Sequence, residues 1–113
     1  MDFIQIAKNA KNASLKIADL STEIKNKALL KIAEKIESAK DEIFEANKVD
    51  LEAARVLVEE GKLSKSTFNR LAFNENKMRD MIAGIKDVAK LGDPINKKLL
   101  VRELDSDLTL YKV

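Results

Sequence analysis

The chain has 113 residues, 45% of them hydrophobic, which is room for one domain of ordinary size with a core of its own. Its 21 lysines and arginines against 19 acids leave a net charge of +2, so a pI near 8.8 reflects lysine abundance and does not imply a nucleic-acid partner. With neither cysteine nor histidine, the chain is excluded from disulfide frameworks, thiolate metal sites, thiol nucleophiles and the commonest neutral-pH base.

The amino terminus lacks a signal peptide's apolar region, and no run approaches a membrane span, so a cytoplasmic setting without a membrane partner is expected. From Asp2 to about Leu20, the residues Phe3, Ile6, Ala10, Ala13, Ile17 and Leu20 recur at helical spacing, predicting a helix that packs one face. Ser21 is a good N-cap for the next helix, and Glu23 in its first turn complements the helix dipole. In that second helix Ile24, Ala28, Leu29, Ile32, Ala33 and Ile36 form an arc wide enough to suggest burial on two sides. Lysines 25, 27, 31 and 35 interleave with Glu23, Glu34 and Glu37, which reads as a solvated face and not as a phosphate-binding track.

A third helix is predicted from about Lys40 to Glu60, with Gly61 as its C-cap. Asp41, Glu45, Lys48, Glu52, Arg55 and Glu59 form a charged stripe, while Ile43, Leu51, Ala54, Leu57 and Val58 occupy the other side. Asn47 and Asp50 fall among those apolar residues. A buried amide or carboxylate without a partner costs about 1–3 kcal/mol, so both are read as structural polar residues tying the helix to neighbouring backbone. A short segment follows, with Ser64 or Ser66 as a possible N-cap and Phe68 and Leu71 as anchors. Asn74 then caps a fourth helix reaching Lys90, striped by Met78, Met81, Ile82, Ile85, Val88 and Ala89. Gly84 interrupts this helix at a cost of about 0.8–1 kcal/mol, which suggests close approach of something to its backbone.

Asp93-Pro94 marks a turn. Beyond it, LLVREL and LTLYKV flank Asp105-Ser106-Asp107 and read as two β-strands around a turn, the two aspartates being too few oxygen ligands for a cation site. The fold class is therefore mainly α, about four helices with a C-terminal β-hairpin. Leu99, Val101, Leu108, Leu110 and Val113 make that hairpin apolar, and its unpaired edges invite association with another chain.

Three stretches taken together, LSTEIKNKALLKIAEKIE, DEIFEANKVDLEAAR and FNRLAFNENKMRDMIAGIKDVAKLGDPI, resemble the amino-terminal region of the gamma-glutamyl phosphate reductases, also called glutamate-5-semialdehyde dehydrogenases, of the aldehyde dehydrogenase superfamily. The resemblance runs from about Ala13 to Val113, and EANKVDLEAA and LGDPI are its most specific pieces. Asn96 stands where that family's turn has glycine, and Gly92 where proline is common.

This resemblance implies that residues 1–97 form a helical layer of the nucleotide-binding domain of an α/β fold. Residues 98–113 would be a β excursion used in subunit contacts, cut before the nucleotide-binding sheet. For the parent enzyme it implies NADPH-dependent conversion of L-glutamate 5-phosphate to L-glutamate 5-semialdehyde in proline biosynthesis, through a cysteine thioacyl intermediate. The nucleophile and the NADP(H)-binding residues lie downstream in that family, so no catalytic, cofactor-binding or metal position is expected in this chain. Lys77, Met78, Arg79, Met81 and Gly84 lie on a helix that the resemblance puts close to the substrate entrance; the residues alone read as solvated cations beside core methionines. The implied partners are the rest of the polypeptide and, through the β element, further copies. A stand-alone helical interaction module, or a segment of another aldehyde dehydrogenase relative, is the competing expectation.

Overall fold

The computed structural model describes residues 2–113. It contains α1 (Phe3–Ala18), α2 (Thr22–Ser38), α3 (Lys40–Glu59), α4 (Lys65–Leu71), α5 (Glu75–Lys90), β1 (Leu100–Asp105) and β2 (Leu108–Lys112). Among the described residues there are five helices where about four were expected, because the short segment after Gly61 closes as α4 under its own cap. The Ser64 hydroxyl accepts the Thr67 amide at 3.1 Å.

Side-chain caps account for most helix starts. The Asp2 carboxylate accepts the Ile4 and Gln5 amides, Ser21 Oγ accepts the Ile24 amide, and Asn74 Oδ1 accepts the Lys77 amide. The start of α3 is the exception. Ala39 provides no cap, and backbone bonds from Ala39 to the Lys35 carbonyl and from Ile43 to the Ala39 carbonyl carry the chain across a one-residue break. At the end of α3, Gly61 takes φ 72°; its amide donates to the Val58 carbonyl and that of Lys62 to Leu57, the paired bonds of a Schellman stop.

The chain divides into two compact units, one of Met1–Lys25 with Leu91–Val113, the other of Asn26–Lys90. Residues 91–97 fall in the same compact unit as the hairpin and the first helix. In the second unit lie the buried residues Ala33, Ala54 and Met78, at 1%, 5% and 2% exposure. Phe44 and Phe73 pack there with ring centroids 6.0 Å apart, and the pair Lys40–Glu75 spans 3.2 Å. The two-sided burial expected of α2 is not found among the described residues. Ala33 is enclosed, but Ile24 and Ile32 keep about half their surface exposed because no described side chain covers that part of the arc.

In the first unit α1 buries none of its residues, and Phe3 is 75% exposed. The hairpin is antiparallel, with Leu100 opposite Lys112, Arg102 opposite Leu110 and a bulge between Glu103 and Asp105. Every residue of both strands is exposed. Asp107 turns the chain at φ 62°, and the Lys98 ammonium lies 4.3 Å from the centroid of the Tyr111 ring.

Candidate functional site

Asn47 sits on α3 with its side chain against the non-helical link from α4 to α5. Its Nδ2 donates to the Leu71 carbonyl at 2.9 Å and its Oδ1 accepts the Phe73 amide at 2.9 Å. A residue on one helix therefore satisfies two backbone groups of a link that has no ladder of its own. The Lys77 ammonium adds a third tie, to the Ala72 carbonyl. Asp50 differs from its expected burial: it is exposed and makes no hydrogen bond among the described residues, because the apolar side of α3 opens there into a shallow groove beside Leu57, Leu63 and Leu71.

The five α5 residues singled out in the sequence do not converge. Met78 is core, Lys77 is committed to the link before α5, and Met81 is 39% exposed. Gly84 meets no close approach; a Cβ built there finds nothing within 4 Å. Arg79 lines a groove with Glu37, Lys40, Glu75 and Lys86, floored by Met78.

The strongest electrostatic feature lies elsewhere. Asp93 Oδ2 accepts from the Lys25 ammonium at 2.8 Å and from the Thr22 hydroxyl at 2.9 Å, while Oδ1 accepts the Ile95 amide at 3.0 Å. The Lys25 hydrogen bond first, then the Ile95 amide and the Thr22 hydroxyl, hold this carboxyl down to about 2 from its ordinary 3.8. Four residues from two chain segments are thus clasped at the start of α2. Asn96 follows at φ 60°, in a turn closed by the Lys97 amide on the Pro94 carbonyl at 3.2 Å. That left-handed position is the one where glycine was expected, and asparagine is the side chain that tolerates it best.

Sequence reasoning identified Asp93-Pro94 as a turn but missed the Lys25 and Thr22 partners. Their separations of 68 and 71 residues leave no periodic signal. Phe44 and Phe73 were missed as well, although an aromatic beside each end of the Asn47 contact is the available hint. Among the described residues no group of three or more acids, cysteines or histidines is placed to hold a metal, and no helix is long and apolar enough to cross a membrane.

Helices tied by side-chain-to-backbone bonds and followed by an exposed hairpin recur as one part of a larger protein. A solved structure of gamma-glutamyl phosphate reductase from Saccharomyces cerevisiae superposes with a TM-score of 0.82 and 42% identity, covering 95% of this chain and 26% of that one. Gamma-glutamyl phosphate reductase from Brachyspira hyodysenteriae is 58% identical over all 113 residues, which are 26% of its length. The Nostoc punctiforme reductase is 47% identical over 110 residues, 24% of its length. No family model matches the chain. The chain belongs to the gamma-glutamyl phosphate reductase family, and it spans about a quarter of the length of the curated relatives it matches.

Proposed function

We propose that the chain is the amino-terminal segment of a cytoplasmic, NADP-dependent oxidoreductase that converts L-glutamate 5-phosphate to L-glutamate 5-semialdehyde, with release of phosphate, in proline biosynthesis. The observation that carries this reading is 58% identity along the whole chain to a relative named gamma-glutamyl phosphate reductase. The segment acts as scaffold. Residues 1–97 supply a helical layer of a nucleotide-binding domain of aldehyde dehydrogenase type, and residues 98–113 a β excursion that meets other copies. The exposed apolar residues of the hairpin, Leu100, Leu108 and Leu110 among them, support a role in contact with further protein.

The described residues do not fit NADP(H). A dinucleotide needs glycines where its phosphates approach backbone at a helix start. Here Gly61 ends a helix, Gly84 lies inside one and Gly92 follows one, and none has a neighbour within 4 Å of a built Cβ. No step of the reduction is therefore assigned to these residues, and Lys77, Met78, Arg79, Met81 and Gly84 are retained only as positions near the substrate entrance.

The test is turnover by the complete polypeptide that carries this sequence, assayed in reverse as phosphate-dependent reduction of NADP by L-glutamate 5-semialdehyde. Activity is expected there and is expected to be absent from the 113-residue chain, which has no cysteine to form the acyl intermediate. A complete polypeptide that oxidises other aldehydes but not this one overturns the substrate. Turnover by the short chain overturns the scaffold role.

A further inference from the structure

We propose that Asp105 and Ser106, at the tip of the hairpin, are a site of spontaneous backbone modification, closing to a cyclic imide and reopening as isoaspartate. Only atoms of this turn and water take part, so the site stands apart from the reductase reading. The Ser106 amide donates to Asp105 Oδ1 at 2.8 Å. That contact brings the carboxyl carbon, one bond beyond Oδ1, close to the nitrogen that attacks it. Both residues are exposed, and the chain reverses beside them through Asp107 at φ 62°. A loop tip of this kind moves more freely than the strands it joins.

The reaction balances without an added reagent. The Ser106 nitrogen bonds to Asp105 Cγ, and its proton leaves with the carboxyl hydroxyl as water. Water then adds back to the imide ring. Addition at Cγ restores aspartate, whereas addition at the main-chain carbonyl breaks the old peptide bond and leaves the chain running through Cβ and Cγ. The backbone is then one carbon longer between Asp105 and Ser106, and the closing pair of Asp105 with Leu108 falls out of register.

No other aspartate combines these conditions. Serine leaves the attacking nitrogen open, whereas Asp19 and Asp107 precede the bulkier Leu20 and Leu108, and the Leu20 amide is already bonded to the Ile17 carbonyl. Asp41, Asp50, Asp80 and Asp87 lie inside α3 and α5, where the helix ladder holds the backbone stiff. Pro94 gives Asp93 no adjacent N–H, and the Asp2 carboxylate receives the amides of Ile4 and Gln5, both beyond the adjacent Phe3.

The experiment is incubation of the 113-residue chain in warm neutral buffer, then proteolysis and mass spectrometry with electron-transfer fragmentation, which separates isoaspartate from aspartate. A species lighter by one water, then an isomer of unchanged mass, are expected at Asp105 ahead of every other aspartate. A free peptide of residues 104–110, run alongside, should isomerise more slowly, because nothing holds its amide on the carboxyl. Ser106→Val, which shields the nitrogen, should slow the isomer severalfold in the chain, and Asp105→Glu, whose imide ring is larger, should remove it. Isoaspartate that appears first at another aspartate overturns the proposal. A chain no faster than the free peptide overturns it too, as does an unchanged rate in Ser106→Val.

Discussion

Residues 26–90 enclose side chains, whereas in the unit of Met1–Lys25 with Leu91–Val113 the described residues enclose none. In the first, Ala33, Ala54 and Met78 are closed off from water and Asn47 stitches α3 to the link before α5. In the second, no described side chain is buried; an ion pair supported by a hydroxyl and an amide joins Thr22 and Lys25 to Asp93, and among the described residues the hairpin has no third strand beside it. Burial is the larger and less condition-dependent source of stability. The helical unit should therefore resist denaturation and acid better than the other.

Met78→Ala should have the largest effect, a loss of about 2–3 kcal/mol for emptying a filled core position. Amide exchange across α3 and α5 would show it, and an equal loss of protection in the hairpin would break the distinction between the units. Next, Asn47→Ala leaves the Leu71 carbonyl and the Phe73 amide without their partner and should cost about 1–2 kcal/mol in urea denaturation. Gly84→Ala should act the other way. With open space where the methyl would go, it should raise stability by about 0.8–1 kcal/mol, and a loss would reveal a close contact at that face of α5.

The smallest effect belongs to the clasp in the other unit, and it depends on pH. Because Asp93 is held below its ordinary value, its pairing favours folding above the unfolded carboxyl value near 3.8; that contribution is lost as pH falls towards about 2. Lys25→Met should move the carboxyl titration midpoint of Asp93, followed by NMR, back up towards 3.8. An unmoved midpoint would assign the shift to the Ile95 amide and the Thr22 hydroxyl instead.

Local chemistry was legible in the sequence. Ser21, Ser64 and Asn74 cap helices where their types and positions indicated, Gly61 ends α3, and the LLVREL and LTLYKV runs pair as a hairpin. Asn47 was legible as a polar residue on an apolar face, although its partners were not. Asp50 looked the same by periodicity and behaves differently, because the angle of a residue on a helix says nothing of whether a neighbour arrives to cover it. The same reason separates the expected from the observed burial of Ile24 and Ile32. For Gly84, the expectation of a close neighbour rested on the cost of glycine in a helix, and no described residue supplies that neighbour.

Asn96 has a consequence outside the folded state. At φ 60° it occupies a conformation that glycine enters freely and most other residues resist. Glycine would gain a few tenths of a kcal/mol in native strain relief yet release more freedom in the unfolded ensemble, where asparagine is the stiffer residue. The Pro94-Ile95-Asn96-Lys97 turn is thus pre-narrowed at two positions, by the proline ring and by the asparagine side chain, and the chain loses less entropy in closing it than a glycine-bearing turn of the same shape.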